Sequence, residues 1–336
     1  MENQNVSTEQ PQVQSKSPWI WIVVIIILLA IAAGVFYFST KNSSDDKGTV
    51  VTGNYIEMPD LDRPKQDSEQ QYNWSTMQQG PYKDKISWAT SSNLLKWTDQ
   101  KTILAEHASV PDVITKDGTL FVYFVDVATD GVAEKIGLIK STDSGQTWSN
   151  KVNISITGLD NKVAVDPAPF LMSDGRIRLY YFDISTTTRG TTKNTIYSAM
   201  SSDGVNFTEE AGGRFTYPDI YDPDVIKVGQ IWRMYVGTGD QKVLTASSTD
   251  GLTFTYEGVA ATGGAIPNII QKNNTYYLFT GGIDIRTSSN GKTFTKTSNR
   301  FDAGKLTADP GVAQLNDGSY LMVYKTKEMV GQPPIK

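Results

Sequence analysis

The sequence predicts an all-β domain, a five-bladed β-propeller closed by pairing its N-terminal hairpin with its C-terminal one, preceded by a single transmembrane helix. Three observations predict it. Two short strings alternate along the chain, an unpartnered string stands at each end of that series, and one uncharged apolar run lies near the N-terminus.

The apolar run comes first. Residues 1–17 are a short polar tail, and Trp19–Phe38 follows without a charge. At 1.5 Å per residue a helix of that length spans roughly 30 Å, the core of a bilayer. Trp19 and Trp21 at one end and Tyr37 at the other suit the two aromatic belts. The rival reading is a cleaved secretory signal, since Ala30-Ile31-Ala32 offers a small-residue site. Against it, the run continues through Val35-Phe36-Tyr37-Phe38, and Lys16 alone marks the preceding region. The anchor is therefore placed at 18–39. Lys16 lies on one side and Lys41 and Lys47 on the other, so charge hardly orients it. A short tail before a large domain leaves that domain outside, which predicts a single-pass protein of the cell membrane with its propeller extracytoplasmic. Residues 40–82 read as a polar stalk, 83–327 as the propeller and 328–336 as a C-terminal tail.

The alternating strings set the architecture. One is a serine, Asp or Asn two residues later, and a closing aromatic. It occurs at Ser91–Trp97, Ser141–Trp148, Ser202–Phe207 (with Ser201 before it), Ser248–Phe254 and Ser288–Phe294. The other begins at a residue before proline, turns, and ends in a β-rich run; it starts at Val110, Asp166, Asp222, Ile266 and Asp309. Asp117-Gly118, Asp174-Gly175, Asn273-Asn274 and Asp317-Gly318 are tight-turn pairs that favour positive φ. Each string thus reads as a hairpin, two hairpins make a four-stranded blade, and the unit recurs every roughly 40–60 residues. The chain opens with a serine hairpin at 86–97 and ends with a proline hairpin at 309–324. Joined in one sheet, they complete the fifth blade and close the ring.

Composition agrees and excludes. Glycine at 28 residues, tyrosine at 16 and charged residues at 20% suit a turn-rich β fold. A net charge of −5 argues against nucleic acid as a partner. The absence of cysteine excludes disulfides, cysteine-ligated zinc and a thiol nucleophile, and the single His107 excludes multi-histidine metal sites. His107, just ahead of the first proline string, reads as a loop residue.

STDSGQTW at Ser141–Trp148 resembles the full Asp-box, S-x-D-x-G-x-x-W, of sialidases and other propellers with BNR-like repeats; the other four copies are shorter. The Asp-Pro strand starts at Asp166, Asp222 and Asp309, each leading into a hairpin that ends in tyrosine, resemble the five-bladed glycosidases of the arabinanase, xylosidase and invertase group. The likeness covers roughly residues 86–325. It implies Asp-boxes on the face away from the site, and a glycan as partner.

In a propeller, the loops entering the first strand of each blade and leaving the second open on one face, around the central channel. That places Asp112, Asp166, Asp222, Asp224 and Asp309 at entrances and Asp126 and Asp183 at exits. Glycoside hydrolysis needs two carboxyl groups flanking the bond, and crowding like charges raises one pKa. The catalytic candidates are Asp112, Asp166 and Asp222. The substrate-binding candidates are Asp126, Asp183, Tyr221, Asp224 and Asp309, with Tyr217 and Trp232 as further stacking surfaces. Two blander readings stand beside these. Asp before Pro also caps turns, and a ring of carboxylates also suits a channel cation such as Ca²⁺.

The resemblance has gaps. The family's base Asp precedes the proline of the first blade, where this chain has Val110; Asp112 is the nearest substitute. Its acid is a Glu opening the third blade, where this chain reads Tyr217 to Asp222, with Asp222 the nearest stand-in. Asp166 alone matches directly, at a position that tunes pKa and orients substrate in the family. Sialidase chemistry would need Arg189, Arg233 and Arg286 to converge. Two expectations follow: a membrane-anchored propeller that binds carbohydrate without catalysis, or a glycosidase acting on a polysaccharide or glycan through paired Asp carboxylates.

Overall fold

Five sheets, antiparallel except for one added strand in the second, follow one another around a ring. The computed structural model describes Asn73, residues 76–77, 80–127, 131–186 and 193–327. The segment Trp19–Phe38, nearly all of the stalk and the 328–336 tail lie outside the described residues. Among the described residues, no helix is long and apolar enough to cross a membrane.

Blade one runs from Ala108 to Asn153, blade two from Ala164 to Glu209, blade three from Ile220 to Thr262 and blade four from Asn268 to Arg300. Blade five is composite. Its order is Thr98–Glu106, Lys85–Ser91, Tyr320–Thr326, Ala308–Gln314, with Lys85 opposite Thr326 and Ser91 opposite Tyr320. The predicted closure is thus present, although the N-terminal hairpin extends to Glu106 and the serine string is its turn. Blade two carries extra strands: Phe215–Pro218 pairs with Lys193–Ser201, and Ser155–Thr157 runs parallel to Asn206–Glu209. The first strands of the five blades touch in cyclic order, which makes them the inner wall.

The serine turns explain how neighbouring blades pack. In each, the serine Oγ accepts a backbone N–H at the turn and meets the Asp or Asn two residues on, at 2.8 Å for Ser141 and Asp143. In blade two the serine in that role is Ser201, bonded to Asp203 and Gly204, rather than Ser202. The closing aromatic then crosses to the preceding blade. Phe207 meets Tyr123, Phe254 meets Tyr180, Phe294 meets Tyr235 and Trp97 meets Phe279, all edge to face. Trp148 closes the circle against Trp88 of blade five, at 6.0 Å between ring centroids. Three of the tyrosines also donate to the next turn's glycine carbonyl, Tyr180 to Gly251 at 2.8 Å for example. Those three contacts combine apolar burial, favoured ring geometry and a satisfied hydroxyl.

The proline hairpins turn as their residues require. In blade one Asp117 and Gly118 both have positive φ, 50° and 78°. In blades two and five only Gly175 and Gly318 do, at 82° and 85°.

Candidate functional site

The site begins with a backbone irregularity repeated five times. Val110, Asp166, Asp222, Ile266 and Asp309 each precede a proline and have φ of 45°, 52°, 45°, 55° and 48°. Four of these strands show a bulge at that point: Ser109 pairs with Val125 and Asp112 with Tyr123, so one extra residue is accommodated. Proline fits there because it has no N–H to leave unpaired. A left-handed φ is tolerated by Asp but strained for the β-branched Val110 and Ile266, at about 1–3 kcal/mol for such a residue. Asp before Pro is therefore a bulge residue that lines the channel cavity.

These residues and their prolines line a cavity of about 20 Å³ at the channel mouth, together with Asp112 and Asn268. That volume holds about one water. Of the seven candidate carboxylates, Asp112, Asp166, Asp222 and Asp309 line it; Asp224, Asp126 and Asp183 do not. All seven are buried.

Their partners separate them further. Asp112 Oδ1 accepts from Val113 N at 2.7 Å and from Asn268 Nδ2 at 3.0 Å. Asn268 Oδ1 in turn accepts from Val312 N at 3.0 Å, which ties blades one, four and five together. Gly311 makes this possible, because a Cβ there would stand 2.5 Å from Asp112 Cα. Asp224 accepts from Val225 N at 2.6 Å and Ile269 N at 2.5 Å. Burial pushes the Asp112 carboxyl well up, and the neighbouring Asp224 charge adds to the effect. Burial pushes Asp224 up to about 7 against its two backbone hydrogen bonds. Asp309 is ion-paired with Lys325, from the neighbouring strand.

At the exits, Asp126 pairs with Lys151 at 2.5 Å; burial still raises its pKa, with Lys151 opposing. Asp183 Oδ1 accepts from Val163 N and from Ser185 N and Oγ, which caps its own loop. Tyr221 is buried, and its hydroxyl is raised first by burial, then by the charges of Asp222, Asp219, Asp240 and Asp166. Trp232 is a correction: it begins a second strand, at the opposite end from the mouth, and packs 4.5 Å from Phe170 beneath Arg178. Arg233 pairs with Glu257 and Arg286 bonds Gly263 O, while Arg189 lies outside the described residues. His107 Nδ1 donates to Tyr82 O at 2.7 Å, a loop contact.

Asn268 and Lys325 were not among the expected site residues. Asn268 has a sequence signal, since Ile266-Pro267-Asn268 repeats Val110-Pro111-Asp112 in register. Lys325 has a weaker one, a single cation closing the apolar strand Tyr320–Thr326. Among the described residues, no group of three or more His, Cys, Asp or Glu is arranged to hold a metal ion.

No protein-family model matches the sequence, and no curated protein matches it. Solved structures do match in fold. A Bombyx mori family GH32 β-fructofuranosidase aligns with TM-score 0.53 and 17% identity over 67% of this chain and 56% of its own. An α-L-arabinofuranosidase from Clostridium thermocellum aligns with TM-score 0.51 and 15% identity over 64% of this chain and 80% of its own. A thermostable family-43 glycoside hydrolase aligns with TM-score 0.53 and 10% identity over 68% and 94%. The chain thus spans just over half the length of the silkworm enzyme. At these identities the likeness is one of fold: a five-bladed propeller whose structural neighbours include glycoside hydrolases.

Proposed function

We propose that this chain is a glycan-binding propeller that takes carbohydrate at its channel mouth without hydrolysing it. The observation that carries the reading is Val110. It occupies the pre-proline position of blade one, so a hydrocarbon stands where the resembling glycosidases have their base. The nearest carboxylate, Asp112, is bonded to Val113 and Asn268. Asp166 and Asp222, in consecutive blades with Tyr221 beside them, supply acceptors for sugar hydroxyl groups. A 20 Å³ cavity suits one hydroxyl reaching in from a ring that rests above it. The glycosidase neighbours support a glycan as the ligand class.

In this reading Trp19–Phe38 holds the propeller at the extracytoplasmic side of a cell membrane, and the serine turns act as structural Asp-boxes on the far face. A second reading, hydrolysis by paired Asp carboxylates, is favoured by one observation. Asp112, Asp166 and Asp222 line one cavity, and burial with the neighbouring Asp224 charge holds the Asp112 carboxyl well above the usual range, as a proton-donating acid requires.

The test is a glycan array probed with the full-length chain, alongside a panel of chromogenic glycosides. Binding without turnover, lost in Asp166→Asn, is the expected result. Release of chromophore that disappears in Asp112→Asn would establish the second reading instead.

A further inference from the structure

A second concavity opens on the mouth face, where the outer strands of blades two and three approach each other. We infer that this groove is a separate saccharide subsite, holding one neutral sugar ring of a glycan whose other units reach the channel mouth. The inference rests on the glycan reading above and adds to it a location, a ligand charge and a minimum ligand length.

The groove has a volume of about 260 Å³. That is near the lower end of ligand pockets, roughly 300 Å³, and matches one ring rather than a chain. One wall is aromatic. Phe215, Tyr217 and Tyr256 form a ladder, with interplanar angles of 14° and 24° and ring centroids 5.8 and 4.6 Å apart. Tyr217 comes from the strand added to blade two, Tyr256 from the fourth strand of blade three. The ladder ends on Tyr256, which is 39% exposed, beside Val259 at 42%. A stacked, exposed ring at the end of an ordered ladder is a platform for the apolar face of a sugar.

The other wall is polar and already ordered. Asp219 Oδ2 accepts from Gly239 N at 3.1 Å, Thr238 Oγ1 donates to Asp240 Oδ1 at 2.6 Å, and Lys242 pairs with Asp240. These groups offer fixed acceptors to hydroxyl hydrogens at little cost in side-chain ordering. Two carboxylates against one ammonium disfavour an anionic sugar, so a neutral ring is the fitting class.

Chain connectivity sets the distance to the mouth. Tyr217 and Asp222 are five residues apart, so at most roughly 18 Å of extended chain separates the groove from the mouth. Tyr221 lies between them in the chain and feels the charges of Asp222 and Asp166 of the mouth and of Asp219 and Asp240 of the groove. A short oligosaccharide bridges that interval; a monosaccharide does not.

The experiment is calorimetric titration of the full-length chain with xylose, arabinose and fructose, and with their neutral tetrasaccharides. Tyr256→Ala and the groove-filling Val259→Trp are expected to weaken tetrasaccharide binding at least tenfold while monosaccharide binding is unchanged. Tyr256→Phe keeps the platform and is expected to bind as wild type. Asp166→Asn should lose both ligand sizes. If both groove variants bind tetrasaccharides normally while Asp166→Asn does not, the groove is wrong and the mouth stands. If the groove variants lose binding and Asp166→Asn keeps it, the mouth is wrong and the groove stands. Absence of binding by the wild-type chain overturns both. Melting curves guard against misfolding, and Val259→Trp remains a test if Tyr256→Ala melts early.

Discussion

Lys325 and Asp309 hold each other between the two inner strands of blade five, with Nζ 2.7 Å from Oδ2 and 1% of either side chain exposed. Removing one partner of a buried pair strands the other charge at about 3–5 kcal/mol. Lys325→Met is therefore expected to destabilise the propeller by that order, and Lys325→Met with Asp309→Asn by clearly less. Urea unfolding of both variants checks this; equal losses would mean that the cation matters only for its packing.

The Asp112 and Asp224 carboxyls make stability fall as pH rises. Their folded pKa values lie above the ordinary carboxylate range, so the folded state holds more protons than the unfolded one between about pH 4 and 7. Melting temperature should decline over that window. Asp112→Asn keeps the Oδ1 bonds to Val113 and Asn268 and removes the charge, so it should raise stability at pH 8 by on the order of 1 kcal/mol. It should also flatten the slope. An unchanged slope in that variant would contradict the coupling.

Asp143 and Asp250 act in the opposite direction. Hydrogen bonds from Thr147 bring Asp143 down to about 2, and those from Leu252 and Thr253 do the same for Asp250. Lowered carboxylates stabilise above their unfolded pKa and lose that contribution as pH falls from about 4 to 2. Asp143→Ala should lower the melting temperature at neutral pH and leave ligand binding intact. Asp166→Asn should do the reverse, losing binding and not stability.

Ring closure predicts an all-or-none response to truncation. Ending the chain after Lys305 removes Ala308–Gln314 and Tyr320–Thr326, and with them the pairing partner of Lys85–Ser91. Circular dichroism should find the whole domain unfolded; a cooperative transition like that of the wild type would contradict the closure.

The anchor prediction is read by mass spectrometry of the membrane fraction. The N-terminal tail should remain joined to the propeller. A mature N-terminus near Ala33, with the protein released to the medium, would identify Trp19–Phe38 as a cleaved signal.

The sequence by itself determined the number of blades and the way the ring closes. Both follow from local chemistry, turn residues beside alternating apolar positions, and from counting which hairpins lacked a partner. It also located the five pre-proline positions, yet not their backbone. Val110 and Ile266 have side chains that disfavour positive φ, and at Val110 it is the bulge in the paired strand that accommodates it. Which carboxylates meet was likewise decided by tertiary structure. Asp112 and Asn268 are 156 residues apart and bond because Gly311, in the blade between them, has no Cβ to intervene. Trp232 looked like a stacking surface because Trp suits that role, but its place at the start of a second strand sends it to the opposite end, against Phe170. Contacts between blades depend on the angle and register at which five sheets come together, and no local pattern carries that information.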